Sequence, residues 1–161
     1  MHETPCAIKV AGIAYNVSND PGGHYMLQDL IFAPMGTLAL LTFTVLGLIP
    51  MRRFRASFAG QITPADFKFG ESAAVPGHVS IPNRNNMNLL ELPMLFYIGG
   101  LMFYVAGKVD AVVLDVAWAY VALRAIHSLI HVTYNNVIHR LIAFALSNFM
   151  LMAFWVLFFV R

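Results

Sequence analysis

The sequence predicts an all-α integral membrane four-helix bundle, and three observations carry that expectation. First, 59% of the 161 residues are hydrophobic and only 11% are charged, where a soluble domain carries roughly 25% charged residues. Mean hydropathy is +0.68, so polar side chains are too few to cover a water-facing globule. Second, Leu30 to Met51 and Leu141 to Val160 contain no charged residue, and each run is long enough to cross ~30 Å of hydrocarbon. Third, Leu89 to Ala106 and Ala111 to about Val132 are apolar apart from isolated polar positions. The length suits one domain.

Taken in order, residues 1–28 read as an extramembrane extension. They hold His2, Glu3, Lys9, Asp20 and a Pro-Gly-Gly turn at 21–23, without the basic-then-apolar progression of a secretory leader. The single cysteine, Cys6, excludes an internal disulfide and a zinc-type cysteine cluster. A formal charge of +2, spread thinly, argues against a nucleic-acid partner. The membrane domain is then 29–161, with helices expected at about 30–51, 85–106, 110–135 and 138–160. The first ends at Met51-Arg52-Arg53-Phe54-Arg55. Residues 56–83, punctuated by Gly60, Pro64, Gly70, Pro76, Gly77 and Pro82, are expected to form an extramembrane loop. Gly107 to Asp110 make a short turn. Pro93 is expected to bend the second helix, and Gly99 and Gly100 to permit close packing. Asp115 falls near a membrane boundary.

Basic residues set the expected orientation. Arg52, Arg53, Arg55, Lys68 and Arg84 lie in or beside the first connection, and His139 and Arg140 in the last; Lys9, Lys108 and Arg161 lie on the other side. This count places the 51–84 loop in the cytoplasm and both termini outside, in a multi-pass inner-membrane topology.

The polar positions fall on narrow helical faces. At roughly 100° per residue, Arg124, His127, His131 and Tyr134 share an arc of about 80°. Arg84, Asn88 and Glu91 make a second stripe on the preceding helix. An isolated charge in lipid costs at least a few kcal/mol, so Glu91 and Arg124 are expected to face protein, water or each other. A structural ion pair between them is one reading. The surplus of polar residues on the same two faces favours a polar site. His127 and His131 also have the i, i+4 spacing of metal or haem ligands. No third ligand shares their face, so hydrogen-bonded core histidines are the preferred reading.

At these residues the chain resembles the MAPEG superfamily, the membrane-associated proteins of eicosanoid and glutathione metabolism, in its bacterial style. The likeness runs from about residue 30 to the end. Arg84, Asn88, Glu91 and Pro93 match the family's second-helix pattern Arg-x3-Asn-x2-Glu followed by proline. Arg124 and His127 match Arg-x2-His-x3-Tyr, with His131 in place of the tyrosine and Tyr134 three residues further on. Arg140 matches the arginine that opens the family's fourth helix. The resemblance implies a homotrimer that binds glutathione between subunits near the cytoplasmic side. It also implies a membrane-bound glutathione-dependent transferase or peroxidase acting on lipophilic electrophiles. Arg140 would be the catalytic cation that stabilises a thiolate. Arg84, Asn88, Glu91, Arg124, His127, His131 and Tyr134 would bind the co-substrate, with Tyr134 a donor to its sulfur. Three departures keep a second reading open: the missing tyrosine, a proline closer to Glu91 than in most members, and the N-terminal extension. In that reading the chain is a catalytically silent accessory subunit, docked in a larger membrane complex through residues 1–28.

Overall fold

The computed structural model describes residues 6–10, 13–17 and 27–161. Strands β1 (Cys6–Val10) and β2 (Ile13–Val17) pair antiparallel, with Ile8 opposite Tyr15. The turn at 21–23 and most of the proposed docking segment lie outside the described residues. Five α-helices follow, α1 (Phe32–Phe58), α2 (Gly77–Leu90), α3 (Pro93–Val105), α4 (Ala111–Val132) and α5 (Val137–Val160), with a short 3-10 turn at Pro64–Phe67. Four helical spans, Leu27–Phe58, Gly77–Val105, Ala111–Val132 and Val137–Val160, are long and apolar enough to cross a membrane. Apart from the β1–β2 hairpin, the described residues form an all-α, multi-pass integral membrane bundle.

Three boundaries depart from expectation. The first helix continues past Met51 through Arg52, Arg53 and Arg55 to Phe58. Charge ends membrane burial, but arginine is a good helix former and does not end the helix. The second helical segment begins at Gly77 rather than about residue 85, so the irregular connection is only 59–76. The second span is also broken rather than bent. Glu91 caps α2 at ψ −92°, and Pro93 becomes the first residue of α3, where its missing N–H has no helical partner to lose.

Prolines and threonines within the spans raise the question of backbone and hydroxyl satisfaction, which lipid cannot supply. Thr37, Thr42 and Thr44 each donate to the carbonyl four residues earlier, at 2.8–3.0 Å. Pro82 has no N–H for the His78 carbonyl, and the Arg52 guanidinium takes that carbonyl at 2.9 Å. The same guanidinium donates to the Val132 carbonyl at 2.8 Å, at the C-terminus of α4. One side chain thus ties α1, α2 and α4 at one end of the bundle.

The core is aromatic and tightly layered. Phe96 packs on Tyr120 and Phe154 with centroids 4.8 and 5.3 Å apart, and Phe103 stands 4.8 Å from Phe154. A Cβ at Gly99 would come within 3.0 Å of the Phe154 ring, so glycine there permits the approach of α3 to α5. Leu38 and Val45 of α1, with Leu114 and Ala117 of α4, extend the same core. Phe43, Leu40 and Val105 stay exposed on the outside, as faces meeting lipid do.

Candidate functional site

Arg84 and Asn88 lie one helical turn apart on α2, and His127 and His131 one turn apart on α4. This i, i+4 spacing puts each pair on one face. Together with Val137, Arg140, Leu141 and Phe144 of α5 they line a cavity of about 350 Å³. That is within the range of small-ligand sites. Among the described residues no carboxylate lines it, and two of its eight lining side chains are arginines.

Local hydrogen bonds fix the cavity's orientation. The Nδ1 of His127 is 3.0 Å from the Arg140 carbonyl oxygen. A carbonyl only accepts, so this bond requires the proton on Nδ1 and leaves Nε2 as an acceptor. The Arg140 guanidinium donates to Asn135 Oδ1 at 2.9 Å and, more weakly, to His131 Nε2 at 3.4 Å. Asn135 holds a left-handed backbone, φ 47°, a conformation asparagine tolerates better than most residues. Its N–H bonds the Ile130 carbonyl and closes α4. Asn136 then caps α5, accepting from the Ile138 and His139 amides. Two consecutive asparagines thus end one helix, start the next and aim Arg140.

Arg124 lies behind the cavity wall. It is 0% exposed; its Nε donates to the Tyr120 hydroxyl at 3.1 Å. Its Cζ lies 5.5 Å from the Tyr120 ring centre and 5.2 Å from that of Phe144, and Phe144 is a cavity-lining residue. Neither Nη1 nor Nη2 has a hydrogen-bond partner among the described residues.

Of the residues the sequence singled out, Arg84, Asn88, His127, His131 and Arg140 come together around the cavity, and Arg124 stands one ring away. Glu91 and Tyr134 do not join them. Glu91 is exposed at the α2–α3 break, and no ion pair joins it to Arg124 among the described residues. The expected stripe ends at His131, because α4 stops at Val132. Tyr134, beyond that end, is 60% exposed and its hydroxyl bonds His139 Nδ1 at 3.0 Å. The histidine rings meet edge to face, 5.8 Å apart, and each already uses one nitrogen on Arg140. Sequence reasoning missed three residues: Asn135, Asn85, and Ser128, whose hydroxyl donates to buried Asn85 Oδ1 at 3.3 Å. The Asn-Arg-Asn-Asn run at 83–86, in a helix bordering lipid, was the available signal for Asn85.

The fold and cavity define a four-span membrane protein with a cation-lined chamber at one end of the bundle. Residues 31–160 match the MAPEG family, and the chain belongs to it. No curated protein and no solved structure matches the chain.

Proposed function

We propose that the protein is a membrane-bound glutathione-dependent transferase or peroxidase acting on lipophilic electrophiles. The observation that carries the reading is a cavity lined by Arg84 and Arg140, with no carboxylate among its described lining residues. Glutathione, with two carboxylates and one ammonium, is a net anion of suitable chemistry. Buried Arg124 adds to the argument. Desolvating a cation costs several kcal/mol, and the Tyr120 and Phe144 ring faces return part of that, about 2 kcal/mol each. An anion bound beyond Phe144 offsets part of the remainder.

In this reading Arg84 pairs a carboxylate through its planar fork, and Asn88 bonds a peptide group. Arg140 faces the sulfur. A free thiol of pKa about 8.5 is roughly 3% ionised at pH 7, and only the thiolate is a good nucleophile. Lowering that pKa by about 2 units takes about 2.7 kcal/mol of differential interaction, within reach of a held guanidinium. The thiol proton leaves to solvent. With an aryl halide the sulfur–carbon bond then forms, the carbon–halogen bond breaks, and halide departs to water.

A homotrimer is part of the proposal. Glu91 is exposed midway along the Gly77–Val105 span, and a carboxylate facing lipid is costly, so a neighbouring copy is the natural cover. That copy would also bring Glu91 to a shared site. The excess of basic residues on the 51–84 side supports a cytoplasmic loop with both termini periplasmic, and an inner-membrane location is part of the same proposal.

The test is glutathione binding and chromogenic aryl-halide turnover by detergent-purified protein. Absence of binding at millimolar glutathione removes the reading. The accessory-subunit alternative draws on Tyr134, which bonds His139 instead of lining the cavity. Co-purification with a larger complex after mild solubilisation favours it, and an isolated, active trimer rejects it.

A further inference from the structure

A second basic cavity lies beside the first connection and shares no lining residue with the one above. Arg52, Arg55, Ala56, Ala59, Gln61 and His78 enclose about 460 Å³. Two guanidiniums, an imidazole and an amide supply its polar groups, and no carboxylate is among the described lining residues. The nearby acids are committed elsewhere. Glu71 pairs with Arg53 at 3.3 Å. Asp66 accepts from the Thr63 amide and hydroxyl at 2.7 and 3.0 Å. Arg52 is held in place by the His78 and Val132 carbonyls, which use two of its five N–H donors. Arg55 makes no ion pair among the described residues.

Helix length sets the depth of this cavity. The 27 residues of α1 span roughly 40 Å at about 1.5 Å each, some 10 Å more than the ~30 Å hydrocarbon layer. The apolar sequence up to Met51 fills the layer, so the excess is the last two turns, Arg52 to Phe58, at headgroup level. Phe54 and Phe58 are 64% and 90% exposed there, and Phe69 in the following connection is 92% exposed. Basic groups interleaved with outward phenylalanines are the pattern of a surface that enters the boundary between headgroups and acyl chains.

We propose that this cavity binds the phosphate of an anionic phospholipid. Arg52 and Arg55 grip phosphate oxygens, Gln61 and His78 contact the rest of the headgroup, and Phe54 and Phe58 rest among the acyl chains. The inference does not depend on glutathione binding.

The test measures lipid retained by detergent-purified protein after exposure to micelles doped with phosphatidylglycerol or phosphatidylcholine. Wild type is expected to retain phosphatidylglycerol preferentially, by at least roughly fivefold. Arg55→Gln, which removes no structural hydrogen bond, is expected to cut that retention by roughly fivefold, the effect of one basic charge near an anionic surface. Its melting temperature and glutathione turnover should match wild type, which separates this site from the catalytic one. Equal retention of the two lipids overturns the proposal, as does an Arg55→Gln protein that retains phosphatidylglycerol like wild type. Displacement of the lipid by millimolar inorganic phosphate overturns the lipid assignment in favour of a free anion.

Discussion

The two ends of the bundle treat polar groups in opposite ways. Where the second span leads into α4, polar side chains find partners within the chain. Gln28 donates to the Val109 carbonyl and accepts from the Val109 amide, at 3.0 and 2.9 Å. Asp110 caps α4 through the Val113 amide and pairs with Arg161. Lys108 lies 5.0 Å from the Phe158 ring centre. Trp155 Nε1 is an exception there. At the other end, two nitrogens of Arg124, Nε2 of His127, Nδ1 of His131 and Nδ2 of Asn85 are buried without partners among the described residues. A buried donor or acceptor left unpaired costs about 1–3 kcal/mol, and more if charged. The first end therefore serves stability. The second forgoes stability, and this concentration of unmatched groups supports the proposal that a ligand completes the site.

Substitutions at the two ends should separate these roles. The largest effect is expected from Arg140→Ala: aryl-halide turnover falls about 100-fold, the scale of losing one charge-stabilising donor, while oligomer size by light scattering is unchanged. Equal activity in the variant would remove Arg140 from the mechanism. At the opposite end, Gln28→Ala removes both bonds to Val109 and should lower stability by about 1–3 kcal/mol. Denaturation in detergent reads that loss, and glutathione affinity should stay at the wild-type value.

Asn135 offers a finer separation. Asn135→Gly keeps the left-handed backbone and removes the group that holds Arg140, so turnover should fall roughly tenfold, or about 1.4 kcal/mol, with little change in melting temperature. Asn135→Ala should lose the same activity and also about 1 kcal/mol of stability, because a Cβ is strained at that φ. If glycine restores full activity, Asn135 acts only through the backbone. The smallest effect is expected from Asp110→Ala, which removes a helix cap worth about 1 kcal/mol and should leave binding and turnover untouched.

The sequence located the polar stripes at the 51–84 end but not the satisfied polar groups at the other, and its misses fall at helix ends. Uncharged runs located the first and last spans, and apolar runs interrupted by isolated polar residues the middle two, because lipid leaves little latitude in composition. The i, i+4 pairs Arg84/Asn88 and His127/His131 could be assigned to one chamber because both lie inside helices, where an angle per residue has meaning. Glu91 and Tyr134 fall just past the ends of α2 and α4, and there the helical angle no longer predicts direction. Nor did composition reveal that α1 would carry its arginines two turns beyond the apolar run. Asn135 escaped notice because its role rests on a single backbone angle, and nothing in residue spacing encodes that.

The proposed seating and ionisation of an anionic thiol in the basic chamber can be read directly by thiolate ultraviolet absorbance. Glutathione mixed with the purified protein at pH 7 should develop a saturable thiolate band, absent from Arg140→Ala under the same conditions. Saturable binding without that band, or a band that survives in Arg140→Ala, would contradict the account.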